Sequence, residues 1–302
     1  MSKTASKLDP RRHAYRADLA ADALRGKVEA ERFVSGEVRQ VVRANVPVRA
    51  EPSPAAQLTT EALFGAHVTV YDEEGDWAWG QIASDDYVGY LPRATLSQDV
   101  STPTHRISAI GTFVYPAPDI KAPPLMTLSM NAGVTASDVG ERFIELQGGG
   151  FIIARHVAET GRTALDFVEV AERFIGTPYM WGGKTRMGLD CSGLVQVSLE
   201  AAGLAAPRDS DMQQEDLGDE VLIPSNLEGL RRGDLIFWKG HVGMMMDGLL
   251  LLHCNAHHMA TAVEPLAEAV ARITRQAGDE AVGAGSGGIT AIRRLPALGF
   301  AA

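Results

Sequence analysis

The fold of this chain is decided by one stretch, residues 177–203, with the sequence TPYMWGGKTRMGLDCSGLVQVSLEAAG. Its glycine-rich first part favours a turn, and Leu194, Val195 and Leu199 then have the spacing of an amphipathic helix that Gly203 closes. The pattern therefore places Cys191 at a helix N-terminus. Unpaired N–H groups and the helix dipole favour an anion there, which predicts a lowered thiol pKa.

Two histidines follow the cysteine at a distance along the chain. His241 lies fifty residues after Cys191, and His253 lies twelve residues after His241. A thiolate within reach of a histidine is an activated nucleophile. The alternative for Cys191 is a small buried hydrophobic residue, but that role does not require the motifs around it.

Four sequence blocks resemble the NlpC/P60 family of cysteine peptidases. They are Tyr-x-Trp-Gly-Gly at 179–183, Asp-Cys-Ser-Gly at 190–193, Gly-Asp-Leu-Ile-Phe at 233–237 and His-Val-Gly at 241–243, followed by His253. The resemblance covers about residues 160–295. It implies an α+β, papain-like catalytic domain, which we place at residues 160–302, with helices first and an antiparallel sheet after them.

The chain ahead of this domain is predicted to contain two small β-barrels. Residues 41–97 contain short β-rich runs between turn signals and resemble a bacterial SH3 (SH3b) domain, with Val-Arg-x-x-Pro-Ser at 48–53 and Gly-Asp-Trp at 75–77. Residues 105–158 repeat the pattern more faintly, without Gly-Asp-Trp, and are predicted to be a second SH3b-like domain. Residues 1–40 are polar and Ala-rich, which predicts a helical segment or a flexible arm.

The resemblance implies a role for each catalytic candidate. Cys191 attacks the scissile carbonyl as a thiolate, and His241 pairs with it and later protonates the leaving amine. His253 fixes the tautomer and angle of His241. Tyr179 places its hydroxyl near the oxyanion beside the backbone N–H of Cys191, unless it is only a core aromatic.

The turn between the two histidines decides whether they can meet. A two-residue Asp247-Gly248 turn would point His241 and His253 to opposite faces, because side chains alternate along a strand. A three-residue loop or a bulge brings them to one face, and we predict one of these. In the rival register, Cys254 faces the site instead of His253.

Further residues are candidates for substrate contact. Asp190 is expected to pair with a ligand ammonium, and Ser192 and Ser210 to bind a carboxylate. Arg208 is expected to clamp a carboxylate through its guanidinium fork, or else to form a surface salt bridge with Asp209 or Asp211. The remaining substrate-binding candidates of this domain are Asp209 and Trp181.

In the SH3b-containing intracellular members of the family, one SH3b domain lines the cleft and recognises a free N-terminal amine. The candidates for that role in this chain are Glu61, Asp86 and Tyr87. The alternative is that these are solvated surface groups, which is the usual state of an acidic side chain.

Composition excludes several classes of protein. The 302 residues are 45% hydrophobic with a net charge of −10, which argues against nucleic acid as a partner. No apolar run reaches the roughly 20 residues of a membrane span. The N-terminal residues lack the apolar segment of a signal peptide, so we expect a cytoplasmic protein. The two cysteines, Cys191 and Cys254, predict no disulfide framework.

No cofactor is expected. The cluster Cys254-Asn255-Ala256-His257-His258 suggests a metal, but a structural zinc site needs four ligands, usually as two spaced pairs. Only one cluster occurs here, and Cys191 is already assigned as the nucleophile. We therefore predict no metal site.

The predicted function is that of the γ-D-glutamyl-L-diamino acid endopeptidases of the family. The resemblance implies hydrolysis of the γ-D-glutamyl–diamino acid bond in murein tri- and tetrapeptides with a free N-terminal L-Ala, in cell-wall peptide recycling. One alternative is an amidase or acyltransferase on the same Cys-His pair. Another is a non-catalytic peptidoglycan-binding module that relies on the SH3b domains.

Overall fold

The computed structural model describes residues 8–224, 226–277 and 287–296. The chain divides into two compact units, Met1–Val157 and Ala158–Ala302. Within the described ranges, no helix is both long and apolar enough to cross a membrane.

The first unit is built of short strands. They are β1 (Leu19–Ala21), β2 (Arg32–Val34), β3 (Glu37–Val41), β4 (Asn45–Arg49), β5 (Leu58–Leu63), β6 (His67–Glu74), β7 (Trp77–Ile82), β8 (Val88–Pro92), β9 (Leu96–Ser97), β10 (His105–Ile107), β11 (Gly111–Val114), β12 (Met126–Ser129), β13 (Gly133–Val134), β14 (Ala136–Val139), β15 (Phe143–Leu146), β16 (Phe151–Ile153) and β17 (Val157–Glu159). Single 3-10 turns connect β1 to β2, β8 to β9 and β16 to β17.

Strands β3 to β9 form one seven-stranded sheet in the order β5-β4-β8-β7-β6-β3-β9. Residues alternate between buried and partly exposed along β8, as expected for a sheet with one face on a core. The buried face includes Val46, Val48, Val68 and Leu91. The predicted β-rich region at 41–97 is confirmed, and the sheet begins slightly earlier, at Glu37.

The prediction of a helical N-terminal segment was wrong for the part that the structure describes. Residues 8–40 contain the parallel pair β1–β2, one 3-10 turn and the start of β3, with no α-helix. Leu19 and Leu24 pack into a small cluster with Trp79 of β7. This burial overrides the helix propensity of the alanines, which is a weak local preference.

Residues 105–159 form three small sheets, β13-β10-β17, β11-β12 and β14-β15-β16. Their apolar side chains share one core, which includes Ile107, Leu128, Ile144 and Ile152. The assignment of this region as a second SH3b-like domain stays a prediction.

The second unit contains helices followed by a six-stranded sheet. Its elements are α1 (Phe167–Glu172), β18 (Lys184–Thr185), β19 (Gly188–Leu189), α2 (Cys191–Ala201), α3 (Ser210–Asp216), β20 (Asp219–Val221), β21 (Leu235–Trp238), β22 (His241–Met245), β23 (Leu250–Asn255), β24 (Ala260–Pro265), α4 (Leu266–Ala277) and β25 (Ile289–Arg294). The sheet order is β20-β25-β21-β22-β23-β24, and its neighbouring strands are antiparallel. The predicted mixture of helices and an antiparallel sheet is confirmed.

Helix α2 lies at the centre of this unit. It contacts α1 on one side and strands β22 and β23 on another. Every residue of α2 except Glu200 is buried, so the helix is covered on all sides rather than amphipathic as its spacing suggested. Its first residue, Cys191, is itself buried.

The Gly-Asp-Leu-Ile-Phe block has a structural explanation. Gly233 has a φ of 87°, which a glycine adopts without strain. Asp234 is fully buried and binds Arg294 through two hydrogen bonds of 2.6 Å. Leu235, Ile236 and Phe237 form the fully buried strand that follows. The block thus ties the start of β21 to the end of β25.

Candidate active site

The buried carboxylate of Asp190 joins the start of α2 to the glycine-rich turn before it. Asp190 is the N-cap of α2, and its Oδ1 accepts the backbone N–H of Gly193 at 2.7 Å. Its Oδ2 accepts the N–H of Gly182 at 2.8 Å, so the glycine-rich turn and the helix start are joined. Arg208 adds a bidentate contact, with N–O distances of 3.0 and 2.7 Å.

These contacts join three of the predicted substrate-binding residues to one another. Arg208 is 1% exposed and donates to Asp190 and to Ser192 Oγ, so the alternative of a surface salt bridge does not hold. Ser192 is buried and donates its hydroxyl to Asp190. A buried charge needs paired hydrogen bonds, and the three side chains supply them to one another. Their roles in binding substrate stay predictions.

The last glycine of Asp-Cys-Ser-Gly is required by close packing. A Cβ added at Gly193 would lie 2.2 Å from the carbonyl oxygen of Gly183. The helix start and the glycine-rich turn therefore touch through backbone atoms, and any side chain at Gly193 would separate them.

The hairpin between β22 and β23 brings the two histidines together. Met244 pairs with Leu252, and Met246 N–H bonds to the carbonyl of Leu250, so the loop is the three residues 247–249. The predicted three-residue loop is confirmed. His241 Nε2 lies 2.9 Å from His253 Nδ1. Gly243 makes room between them, since a Cβ there would be 3.1 Å from the Cβ of His253.

The rival register, with Cys254 toward the site and His253 away from it, does not occur. Cys254 is buried and donates its thiol hydrogen to the carbonyl of Leu189 at 3.0 Å.

Beyond His253 the hydrogen bonds continue to two residues that the sequence analysis missed. His253 Nε2 lies 2.8 Å from Glu264 Oε1. Arg272 of α4 holds both oxygens of Glu264, each at 2.6 Å. The only available signal was one acidic residue at the end of an otherwise apolar strand, and the pairing of β23 with β24 could not be inferred from it.

Cys191 lies near the backbone of β22, since the N–H groups of Val242 and Ser192 are both close enough to lower the pKa of its thiol. Burial, followed by the charge of Asp190, nevertheless raises the thiol pKa to about 11. Burial is the main cause, and electrostatic repulsion from His253 the second, of a fall in the pKa of His241 to about 3. The prediction of a lowered thiol pKa is thus overturned, because desolvation outweighs the helix terminus.

Tyr179 is half-buried and close enough to Cys191 and Asp190 for both to affect its titration. Burial is the main cause, and the charge of Cys191 the second, of a rise in the pKa of its hydroxyl to about 12. The hydroxyl therefore keeps its proton at neutral pH and remains a hydrogen-bond donor.

The other candidates are spread over both units. Trp181 is 60% exposed beside the glycine turn, and Asp209 and Ser210 are half-buried at the start of α3. Glu61 and Tyr87 are buried in the first unit, where Glu61 accepts a hydrogen bond from Asn45. Asp86 is exposed and has a φ of 60°. Their roles in binding substrate stay predictions.

One group of side chains in the described ranges has metal-ligand spacing. His253, His258 and Glu264 offer ligand atoms within 4.8 Å of one another. An ion there would have to displace Arg272 from Glu264 or His241 from His253. We assign no metal to this group, because its donors already bind protein partners.

The sequence matches two family models. Residues 48–96 match a domain described as the bacterial dipeptidyl-peptidase SH3 domain, and residues 176–274 match the NlpC/P60 family. The chain is 30% identical to dipeptidyl-peptidase 6 of Lysinibacillus sphaericus over 68% of this chain and 83% of that protein. It is 29% identical to a γ-D-glutamyl-L-lysine dipeptidyl-peptidase of Bacillus subtilis, over 65% and 72% of the two chains.

A crystal structure of an NlpC/P60 family protein from Bacillus cereus has the same fold. It superposes with a TM-score of 0.69 and covers 86% of this chain and 100% of that one, at 20% sequence identity.

Proposed function

The chain belongs to the NlpC/P60 family, and on that premise we propose that it hydrolyses the γ-D-glutamyl bond to a diamino acid in short murein peptides. The observation that carries this proposal is the geometry around Cys191. Cys191 is the first residue of α2 and lies near the N–H of Val242, the residue after His241, and His241 is hydrogen-bonded to His253. The names of the two relatives, which specify a dipeptidyl-peptidase and a γ-D-glutamyl-L-lysine bond, support the same substrate class.

The first half of the reaction forms a thioester. His241 Nε2 is engaged with His253, so Nδ1 is the nitrogen that takes the proton of the Cys191 thiol. The sulfur attacks the γ-carbonyl of D-glutamate as this proton leaves, because the resting pair is neutral. The backbone N–H of Cys191 and the Tyr179 hydroxyl stabilise the oxyanion. His241 then protonates the leaving amine of the diamino acid.

The second half releases the acid. Water attacks the thioester while His241 Nδ1 accepts its proton, and the Cys191 thiol is restored. The products are L-Ala-D-Glu and a peptide or amino acid that begins with the diamino acid.

Substrate selection is proposed to involve both units. Trp181, Asp209 and Ser210 are the candidates in the second unit, since their side chains are not buried. Glu61, Asp86 and Tyr87 are the candidates for the free amine of L-Ala. We place the activity in the recycling of murein peptides in the cytoplasm, which cell fractionation with an antibody against the chain would test.

The deciding experiment is mass spectrometry of products. The protein is incubated with L-Ala-γ-D-Glu-diaminopimelate and with the matching L-Lys peptide, alongside the Cys191→Ala variant. We expect L-Ala-D-Glu and the free diamino acid from the native protein only. Release of L-Ala would exclude the proposed bond, and an acyl-transfer adduct would show an acyltransferase.

A further inference from the structure

The distance between His241 and His253 does not show which of the two donates the hydrogen bond that joins them. A neutral imidazole has one N–H donor and one acceptor nitrogen. The hydrogen bond between His241 Nε2 and His253 Nδ1 can therefore run either way. Only when His241 donates does its Nδ1 carry the lone pair that a base needs.

We propose that Glu264 and Arg272 are positioning residues that set the tautomers of both histidines, so that Nδ1 of His241 is unprotonated and available as the base for Cys191. The inference deepens the proposed function and rests on the role of His241 in it.

The direction follows from Glu264. An ionised carboxylate only accepts hydrogen bonds, so His253 Nε2, at 2.8 Å from Oε1, must carry the proton. His253 Nδ1 then has the lone pair and accepts from His241 Nε2. His241 Nδ1 is left as the acceptor.

Arg272 keeps the carboxylate in this state. Its two terminal nitrogens each donate to one oxygen of Glu264 at 2.6 Å, the bidentate arrangement that stabilises a carboxylate best. The Glu264 side chain is 9% exposed and that of Arg272 13%, so water replaces little of this interaction. Burial alone would raise the pKa of Glu264, but the Arg272 fork and His253 hold it below its usual range.

The charged and titratable groups around Glu264 come from several elements. Strands β22 and β23 contribute His241 and His253, and α4 contributes Arg272. His258, in the loop after β23, has its ring 6.2 Å from that of His253. Without Arg272, the buried carboxyl group would face these imidazoles without its cation and would take up a proton more readily. A protonated Glu264 could donate to His253 Nε2, and this would reverse the direction of the hydrogen bonds from Glu264 to His253 and from His253 to His241.

The test uses ¹⁵N NMR of the histidine side chains in the full-length protein at pH 7. We expect His241 and His253 both as the Nε2–H tautomer. In Glu264→Gln the amide can donate or accept, so His253 should shift toward the Nδ1–H form. The kcat should fall at least about tenfold with little change in KM, as part of the roughly 10²- to 10⁴-fold that a positioned base contributes.

Two variants of Arg272 test the role of its positive charge. Arg272→Met should move the acid limb of kcat/KM to higher pH, because an unpaired Glu264 is protonated more easily. Arg272→Lys keeps the positive charge and should restore part of the shift. Glu268→Gln and Arg275→Met, exposed residues of the same helix, are the matched controls and should behave like the native protein.

Unchanged tautomers in Glu264→Gln, or an Nδ1–H tautomer of His253 in the native protein, would overturn the proposal. The native spectrum gives this answer even if the variant fails to fold. If the tautomers shift as expected but no peptide is cleaved, the proposed function fails and the positioning role stands.

Discussion

Cys191 and His241 have opposite shifts in pKa that both favour their uncharged forms. Burial is the main cause in each case, since it removes the water that would stabilise a charge. In the proposed mechanism the pair therefore begins the reaction as thiol and imidazole. Charge develops only when substrate enters and the proton moves, at which point the N-terminus of α2 can stabilise the negative oxygen.

The nucleophile itself can be tested against the second cysteine. Cys191→Ala should abolish peptide cleavage and leave thermal unfolding nearly unchanged. Cys254→Ala should keep most activity and lose roughly 1 kcal/mol of stability, because Leu189 still accepts the Met180 N–H. Equal losses of activity in the two variants would refute the assignment.

The neutral pair predicts the pH dependence of alkylation. With the thiol pKa raised to about 11, the thiolate fraction of Cys191 should grow about tenfold per pH unit between pH 7 and 9. The rate of inactivation by iodoacetamide should follow it, with Cys191→Ala giving the background. A rate that is already constant from pH 5 upward would indicate a thiolate–imidazolium pair instead.

The orienting role of His253 predicts a kinetic effect. His253→Ala removes the acceptor of the His241 Nε2–H and should lower kcat by about 10²-fold. His257→Ala, in the neighbouring exposed loop, is the control and should retain activity. A near-native kcat for His253→Ala would remove it from the site.

At the scale of elements, the site depends on the register of one hairpin. The three-residue loop 247–249 is held by Asp247, whose Oδ1 accepts the N–H groups of Leu249 and Leu250. Because side chains alternate along a strand, a shift of the β22–β23 pairing by one residue would exchange the two faces of β23. The position of His253 is thus set by the loop as much as by its own identity.

Deletion of Leu252, which leaves the three-residue loop in place, tests this dependence. Met244 would then pair with His253 and Gly243 with Cys254, so His253 should turn away from His241 and cleavage should be abolished. Leu249→Ala keeps the loop length, and Leu249 is 77% exposed, so that variant should retain near-native activity. Full activity in the deletion variant would contradict the register argument.

At the scale of the whole molecule, the seven-stranded sheet of the first unit accompanies a catalytic unit in one chain. The two relatives align with about two thirds of the present chain. A second module in the same chain as a catalytic one can restrict which peptides are cut, by recognising one end of the substrate. The free amine of L-Ala is the end that the proposed substrate presents.

Acetylation of the L-Ala amine tests whether the protein recognises it. Loss of one charge-assisted contact is worth about 1.5–3 kcal/mol, so kcat/KM should fall by roughly 10- to 150-fold for the N-acetylated peptide. Asp86→Asn should reduce this discrimination if Asp86 binds the amine, whereas Asp76→Asn, at another exposed turn of the same sheet, should not. Equal kcat/KM for the free and acetylated peptides would exclude amine recognition.

The sequence by itself determined the family and the order of helices and sheet, and it pointed to Cys191 as the nucleophile. These depend on local signals: a glycine turn before a helix start, motif spacing and alternation along strands. A three-residue loop or a bulge in the hairpin also followed, once the two histidines were required to share a face.

Only the tertiary structure decided where the charged side chains point. The sequence gives no sign that Asp190 and Arg208 pair with each other, which their burial requires. Glu264 and Arg272 show no motif, and they join the site because β24 lies beside β23 and α4 lies against both strands. Desolvation likewise depends on packing, so the raised pKa of Cys191 could not be inferred from its place at a helix start.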